Sequence, residues 1–195
     1  TAVEVDALEA AIDELEQMAL ELVNRVVLAW EAAYERLRIP AIAWPAIERS
    51  WTEGEKNLYG RFDLRYDGQG PPKLLEYNAD TPTALFEAAV VQWDWLQSCW
   101  PQRDQFNSLH ERLIEAWRHF GLGDIPIYFA AVKGHGEDAG TIDYLRDTAI
   151  QAGLTTERIA IEDIGWNGQQ FVDLNEVPFE ALFKLYPWEW LVGEP

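Results

Sequence analysis

Cysteine is nearly absent: Cys99 is the single one in 195 residues, so no disulfide framework can form. That scarcity points to a reducing cytoplasm, and the Trp-rich helical end around Cys99 predicts a buried, inert thiol rather than a nucleophile. Histidine is scarce too, with three in the chain. His110 and His119 lack partners at zinc-ligand spacing and read as ordinary surface or edge residues. No apolar run reaches the length of a membrane span and no signal peptide opens the chain, which argues against a membrane partner. Basic residues number 15 against 34 acidic ones, for a net charge of -19. A surface of that sign repels phosphate backbones, which argues against nucleic acid as a partner. It would suit a polycation, although a charged exterior is most often only a solvated face. Walker loops, GxGxxG, Ser/His/Asp sets and internal repeats are all missing.

What remains is the composition of a folded protein, 48% hydrophobic and 13% aromatic, long enough to bury a substantial core. Ten tryptophans suggest deep packing or rings around a ligand cleft. Leu8, Ile12, Leu15, Met18, Leu22, Val26 and Trp30 recur at helical spacing, so about the first 35 residues predict one amphipathic helix with an acidic, solvated first half. Pro40 and Pro45 break that pattern, and a short helix at 46–51 follows.

Residues 59–84 read YGRFDLRYDGQGPPKLLEYNADTPTA. Two alternating runs, 59–66 and 73–78, flank a turn-rich segment and predict a β-hairpin. Pairing Tyr66 with Lys73 sets Asp63 opposite Glu76 and Arg61 opposite Asn78 on one face. Phe62 and Leu64 then oppose Tyr77 and Leu75 on the other. Opposed carboxylates lie ~4.5 to 5.5 Å apart at Cβ and repel, so a cation belongs between them. Arg61 could supply it in a plain ion cluster. Alternatively Asp63, Glu76 and the Asn78 carbonyl form an all-oxygen set suited to Mg²⁺, leaving Arg61 to grip an anion. Thr81 then reads as an N-cap and Pro82 as the first residue of a helix, whose N-terminus would favour an anion beside the metal.

Further along, a loop at 99–104 makes a plausible boundary, and 108–120 is helical, closed by Gly121 and Gly123. Strand 125–132, helix 138–152 and strand 158–161 predict a parallel βαβ unit. Its KGHGED link lies at the C-terminal end of the first strand, where open α/β sheets bind ligands. Glu137 and Asp138 could hold an amine there, or merely start the helix; on chemistry alone capping is favoured. A turn at Asn167-Gly168 and a strand at 170–174 follow. In ALFKLYPWEW, Lys184, Glu189, Trp188 and Trp190 could line a cleft or pack on another domain. The start at Thr1 and the stop after WEWLVGEP lead to the expectation of a trimmed chain.

At YGRFDLRYDGQGPPKLLEYNADTPT the sequence resembles the synthetase part of the glutathionylspermidine synthase family, of ATP-grasp type. The resemblance extends through SWTEGEKNLYGRFD, EAAVVQWDWLQ, EDAGTIDYLRDTAIQAG, IEDIGW and FKLYPWEW. It implies a mixed α/β (α+β) chain: a long helix and hairpin of an ATP-grasp-type core over 1–103, then a Rossmann-like βαβ pre-ATP-grasp substrate domain over 104–195. The implied activity is ATP-dependent amide formation between a glycyl carboxylate of a peptide such as glutathione and an amine such as spermidine, through an acyl phosphate. By motif, Arg61 would contact ATP phosphates and stabilise the transferring group, while Asp63, Glu76 and Asn78 would hold Mg²⁺. Thr81 and Thr83 would meet the peptide, and Glu137 and Asp138 the peptide or polyamine, which raises that pair above capping. Ala84 stands where some members carry cysteine. The glycine-rich lid and ATP-gripping lysines are not recognisable, so the nucleotide-binding part is expected outside this chain, and the fragment alone is expected to be inactive. The alternative is a peptide- or polyamine-binding module without turnover.

Overall fold

A computed structural model describes residues 1–194. The described residues fall into two compact units, Thr1–Asn78 with the stretch from Trp188 onward, and Ala79–Pro187. The first begins with α1 (Ala2–Ala29), α2 (Glu31–Leu37) and α3 (Trp44–Glu53). The single helix expected over the first 35 residues is thus two, interrupted at Trp30, whose φ is 50°. Trp30 still donates its N–H to Val26 and Val27 carbonyls, but a residue at φ 50° and ψ -133° cannot continue a right-handed helical ladder. Neither proline nor glycine marks the break, so periodicity ran through it. Pro45 sits in the first turn of α3, where its missing N–H costs nothing, and so starts the helix that it was expected to precede. A hairpin of β1 (Arg61–Arg65) and β2 (Lys73–Asn78) completes this part.

The second unit opens with an irregular segment at 79–84 and a helical run that includes a π turn, Glu87–Val91, leading into α4 (Gln92–Cys99). The Asn107 side-chain amide donates to the Ala88 carbonyl inside that π turn. Cys99, expected to be buried, is exposed at the end of α4, beside an equally exposed Trp100. The helix simply ends at the surface there. α5 (Leu109–His119) starts at Ser108 and turns Leu113 and Trp117 into the core, as its spacing predicts.

β3 (Ile127–Ala131), α6 (Gly136–Gln151) and β4 (Thr156–Ala160) form the expected parallel βαβ unit. All five residues of β3 are buried, which is why its sequence reads as a continuous apolar run rather than an alternation. Phe129 packs its ring against Trp117 and Phe183, beside α5 and α6. Tyr128 and Ala130, on the opposite face, cluster with Ile159, Ile161 and Phe179. Within the helical layer, the Trp117 indole N–H donates to Thr148 Oγ1 at 3.0 Å, and that hydroxyl donates to the Leu145 carbonyl at 2.7 Å.

A small hairpin of β5 (Gly165–Trp166) and β6 (Phe171–Val172) follows, around the expected turn. The Asn167 carboxamide oxygen receives the N–H groups of Gln169 and Gln170 and shapes that turn. β7 (Ala181–Leu185) then runs parallel to β3 and gives the sheet order β4-β3-β7. The chain closes with α7 (Trp188–Leu191). Most tryptophans are exposed and Trp117 alone is in the core, so deep packing does not describe the set as a whole. No described helix is long and apolar enough to cross a membrane.

Candidate functional site

Three hairpin pairs stand as the alternation predicts: Arg61 with Asn78, Phe62 with Tyr77, and Asp63 with Glu76. Beyond Asp63 the register slips by one, so Leu64 meets Leu74 and Arg65 meets Lys73. Leu75 is the extra residue of a bulge, and the expected pairs Tyr66 with Lys73 and Leu64 with Leu75 do not form. Those pairs need a turn closed by six residues, 67–72, whereas the loop takes up one more residue, 66–72. A bulge sharpens the local twist and re-aims neighbouring side chains, here directly beside the carboxylate pair. On the apolar face the rings of Phe62 and Tyr77 stack at 4.1 Å. Gly60 leaves room for that stack, since a Cβ there would lie 2.7 Å from the Tyr77 ring and the ring would have to shift.

On the polar face the Arg61 guanidinium holds Asp63 in a forked pair, Nε to Oδ1 at 2.8 Å and Nη2 to Oδ2 at 3.2 Å. Hydrogen bonding to Asp63, helped by the charges of Asp63 and Glu76, raises the Arg61 pKa. Burial pushes the Tyr59 phenol up to about 12, with Arg61 pulling the other way. Arg61 was expected to stay available for an anion; here its fork lies on Asp63, the arrangement of the plain ion cluster. Among the described residues no three of His, Cys, Asp and Glu gather as a metal cage. The expected donor set has two carboxylates and one amide oxygen, hard donors that suit a cation keeping water or phosphate as its other ligands.

Thr81 and Thr83 lie half-buried in the irregular segment, with Pro82 between them buried. Thr81 is therefore not the N-cap, nor Pro82 the first helical residue: the helix starts at 85, after Ala84 turns left-handed with φ 64°. The Ala84 carbonyl receives the Ala88 N–H. Both hydroxyls thus belong to a loop. Asp80, one residue ahead of Thr81, accepts from the Lys184 ammonium at 2.7 Å, and the same ammonium donates to the Tyr186 carbonyl at 2.7 Å.

Glu137 and Asp138 occupy the first turn of α6, Glu137 exposed and Asp138 half-buried against His135 at 3.2 Å. Their helix-starting position is the one that capping predicts, and it also lies at the C-terminal end of β3. A cavity of about 650 Å³ opens at that end, lined by Lys133, His135, Arg158, Asp163 and Asp173 among others. Lys133 pairs with Asp163, and its N–H donates to Glu162. The Asp173 pKa is lowered because the Val177 and Asn175 N–H groups and the Tyr128 hydroxyl donate to its carboxylate. Sequence reasoning located this end of the sheet through the strand-end rule but missed Asp173 and Arg158, which arrive from later strands and loops. His110, read as ordinary, contacts the Tyr144 hydroxyl at 3.1 Å and Gln151 at 3.3 Å.

The hairpin therefore gathers Arg61, Asp63, Glu76 and Asn78 in the first unit, while Thr81, Thr83, Glu137 and Asp138 belong to the second. The family model for glutathionylspermidine synthase preATP-grasp matches residues 1–195. A Haemophilus influenzae protein provisionally named an acid–amine ligase is 44% identical over 201 residues, covering 98% of this chain and 50% of its own length. Trypanothione synthetase of Crithidia fasciculata is 26% identical over 170 residues, 82% of this chain and 26% of its own. The bifunctional glutathionylspermidine synthetase/amidase of Escherichia coli is 26% identical over 185 residues, 92% of this chain and 29% of its own. The chain spans half or less of the length of these relatives. With a parallel α/β sheet, a carboxylate-bearing hairpin and a match along its full length, the chain belongs to the glutathionylspermidine synthase family, as a pre-ATP-grasp region.

Proposed function

We propose that the chain forms one wall of the active site of a cytoplasmic, ATP-dependent acid–amine ligase, which joins a peptide glycyl carboxylate to a polyamine-like amine through an acyl phosphate. The observation that carries this reading is the hairpin register, which puts Asp63 opposite Glu76 and Arg61 opposite Asn78 on one face. Asp63, Glu76 and Asn78 would hold Mg²⁺, which when bound supplies charge neutralisation for phosphoryl transfer. Arg61 would turn its planar fork from Asp63 to the phosphate or carboxylate that gains charge in the reaction. Thr81 and Thr83 offer hydroxyls to the peptide. Glu137 and Asp138 offer anionic oxygens to the amine, and holding that amine in line with the acyl carbon converts an encounter into a unimolecular step.

The test is ADP release by the full-length gene product with Mg²⁺, across a matrix of small peptides and amines that includes glutathione and spermidine. Release that requires one peptide and one amine together, with the amide seen by mass spectrometry, supports the ligase. Asp63→Asn and Glu76→Gln should each lower that turnover by about 10²-fold or more. The Arg61–Asp63 fork favours a second reading, a binding module that holds peptide or polyamine without turnover. A folded full-length protein that binds glutathione or spermidine, yet consumes no ATP across the matrix, would establish that reading instead.

A further inference from the structure

Lys184 is a charged residue in a β-strand, and its side chain is 11% exposed. An ammonium that far from water is stable only if its donors are met by strong acceptors. β7 places it to donate to Asp80 and to the Tyr186 carbonyl, both at 2.7 Å. Asp80 is 104 positions away in the chain, so the contact ties the sheet to the start of the 79–84 segment. That segment has no regular structure of its own. The ion pair ties it at one end, Pro82 is buried in its middle, and Ala84 is left-handed at φ 64° at the other end. Non-glycine residues keep such a φ only where their surroundings over-determine it, and such positions gather at ligand sites.

We propose that Lys184 is a positioning residue that acts through Asp80 to hold Thr81 and Thr83 in shape for the peptide substrate, a role that rests on the ligase reading above. It touches no reacting atom. Its effect belongs on peptide binding rather than on the chemical step, because the loop is organised before the substrate arrives.

The test uses the full-length gene product with ATP, Mg²⁺, glutathione and spermidine, following ADP release together with backbone hydrogen exchange over residues 79–86. K184M keeps the aliphatic stem and removes the ammonium, while D80N keeps the shape of the partner and removes its charge. Each should raise the KM for glutathione by about tenfold, leave kcat within about threefold, and leave the KM for ATP and spermidine unmoved. The double variant should be no worse than either single one, K184R should recover part of the loss, and exchange over 79–86 should quicken in K184M and D80N. Should K184M fail to fold, D80N carries the test, since that side chain is the more exposed of the two. An active wild type whose variants keep their glutathione KM, or lose only kcat, or merely melt earlier, overturns the proposal. A folded wild type that consumes no ATP across the peptide and amine matrix fails the ligase reading, and with it the substrate role of Lys184; quickened exchange would then mark the ion pair as structural.

Discussion

Ala84 shows how one side chain can cost stability where it stands. A left-handed conformation brings Cβ against the following carbonyl, at about 1–2 kcal/mol for any residue but glycine. The position takes φ 64° all the same, between a half-buried threonine and buried Leu85. Ala84→Gly should therefore stabilise the protein by about 1 kcal/mol after the extra freedom of glycine in the unfolded chain is subtracted. That corresponds to a melting temperature higher by about 2–4 °C, measurable by calorimetry. On the ligase reading, the same variant should weaken glutathione binding severalfold, because a glycine lets the loop sample other shapes. A gain in stability with unaltered affinity would show that the strain serves the fold alone.

The hairpin is the element on which most of the proposed chemistry stands, and its two faces depend on each other. Tyr77 lies between Glu76 and Asn78 in β2, and its ring stacks on Phe62 over the bare Cα of Gly60. Adding a methyl at Gly60 requires that ring to move, and the ring, which is partly exposed, can do so only by loosening its stack on Phe62. Gly60→Ala should cost about 1–3 kcal/mol in denaturant unfolding and alter the near-ultraviolet circular dichroism of the aromatic stack. Unchanged spectra and midpoint would mean that the stack is loose enough to absorb the methyl. The bulge at Leu75 makes this element less forgiving. It confines the expected register to the three pairs nearest the candidate site, and the strand beyond it takes another alignment.

Across the whole molecule the dominant property is charge: -19 at neutral pH, with a pI near 4.4. A field of that sign draws polycations and is screened over about 8 Å at physiological salt. If the amine substrate is a polyamine, its KM should rise steeply between low and moderate ionic strength, while the KM of an anionic peptide such as glutathione stays flat or falls. Steady-state kinetics at several salt concentrations would show it. Equal salt dependence for both substrates would make the acidic surface a solubility feature. The apolar side is equally plain, for α1 has no fully buried residue although it carries a helical apolar stripe. Periodicity therefore predicted the helix without indicating how deeply it would be covered.

Local chemistry was sufficient for much of this. Alternation put Arg61, Asp63, Glu76 and Asn78 on one face in the observed pairing, because side chains in a strand repeat every second residue whatever lies around them. The apolar run of β3, the helix after it and the short links sufficed for a parallel unit, because a crossover connection leaves few other topologies. Features that depend on distant partners stayed out of reach, namely β7 beside β3 and the Lys184–Asp80 pair. So did irregularities that no periodic pattern marks: the break at Trp30, the bulge at Leu75 and the left-handed Ala84. A contact between residues 104 positions apart leaves no trace in local periodicity; it exists only once a folded sheet has removed an ammonium from water and offered it one carboxylate.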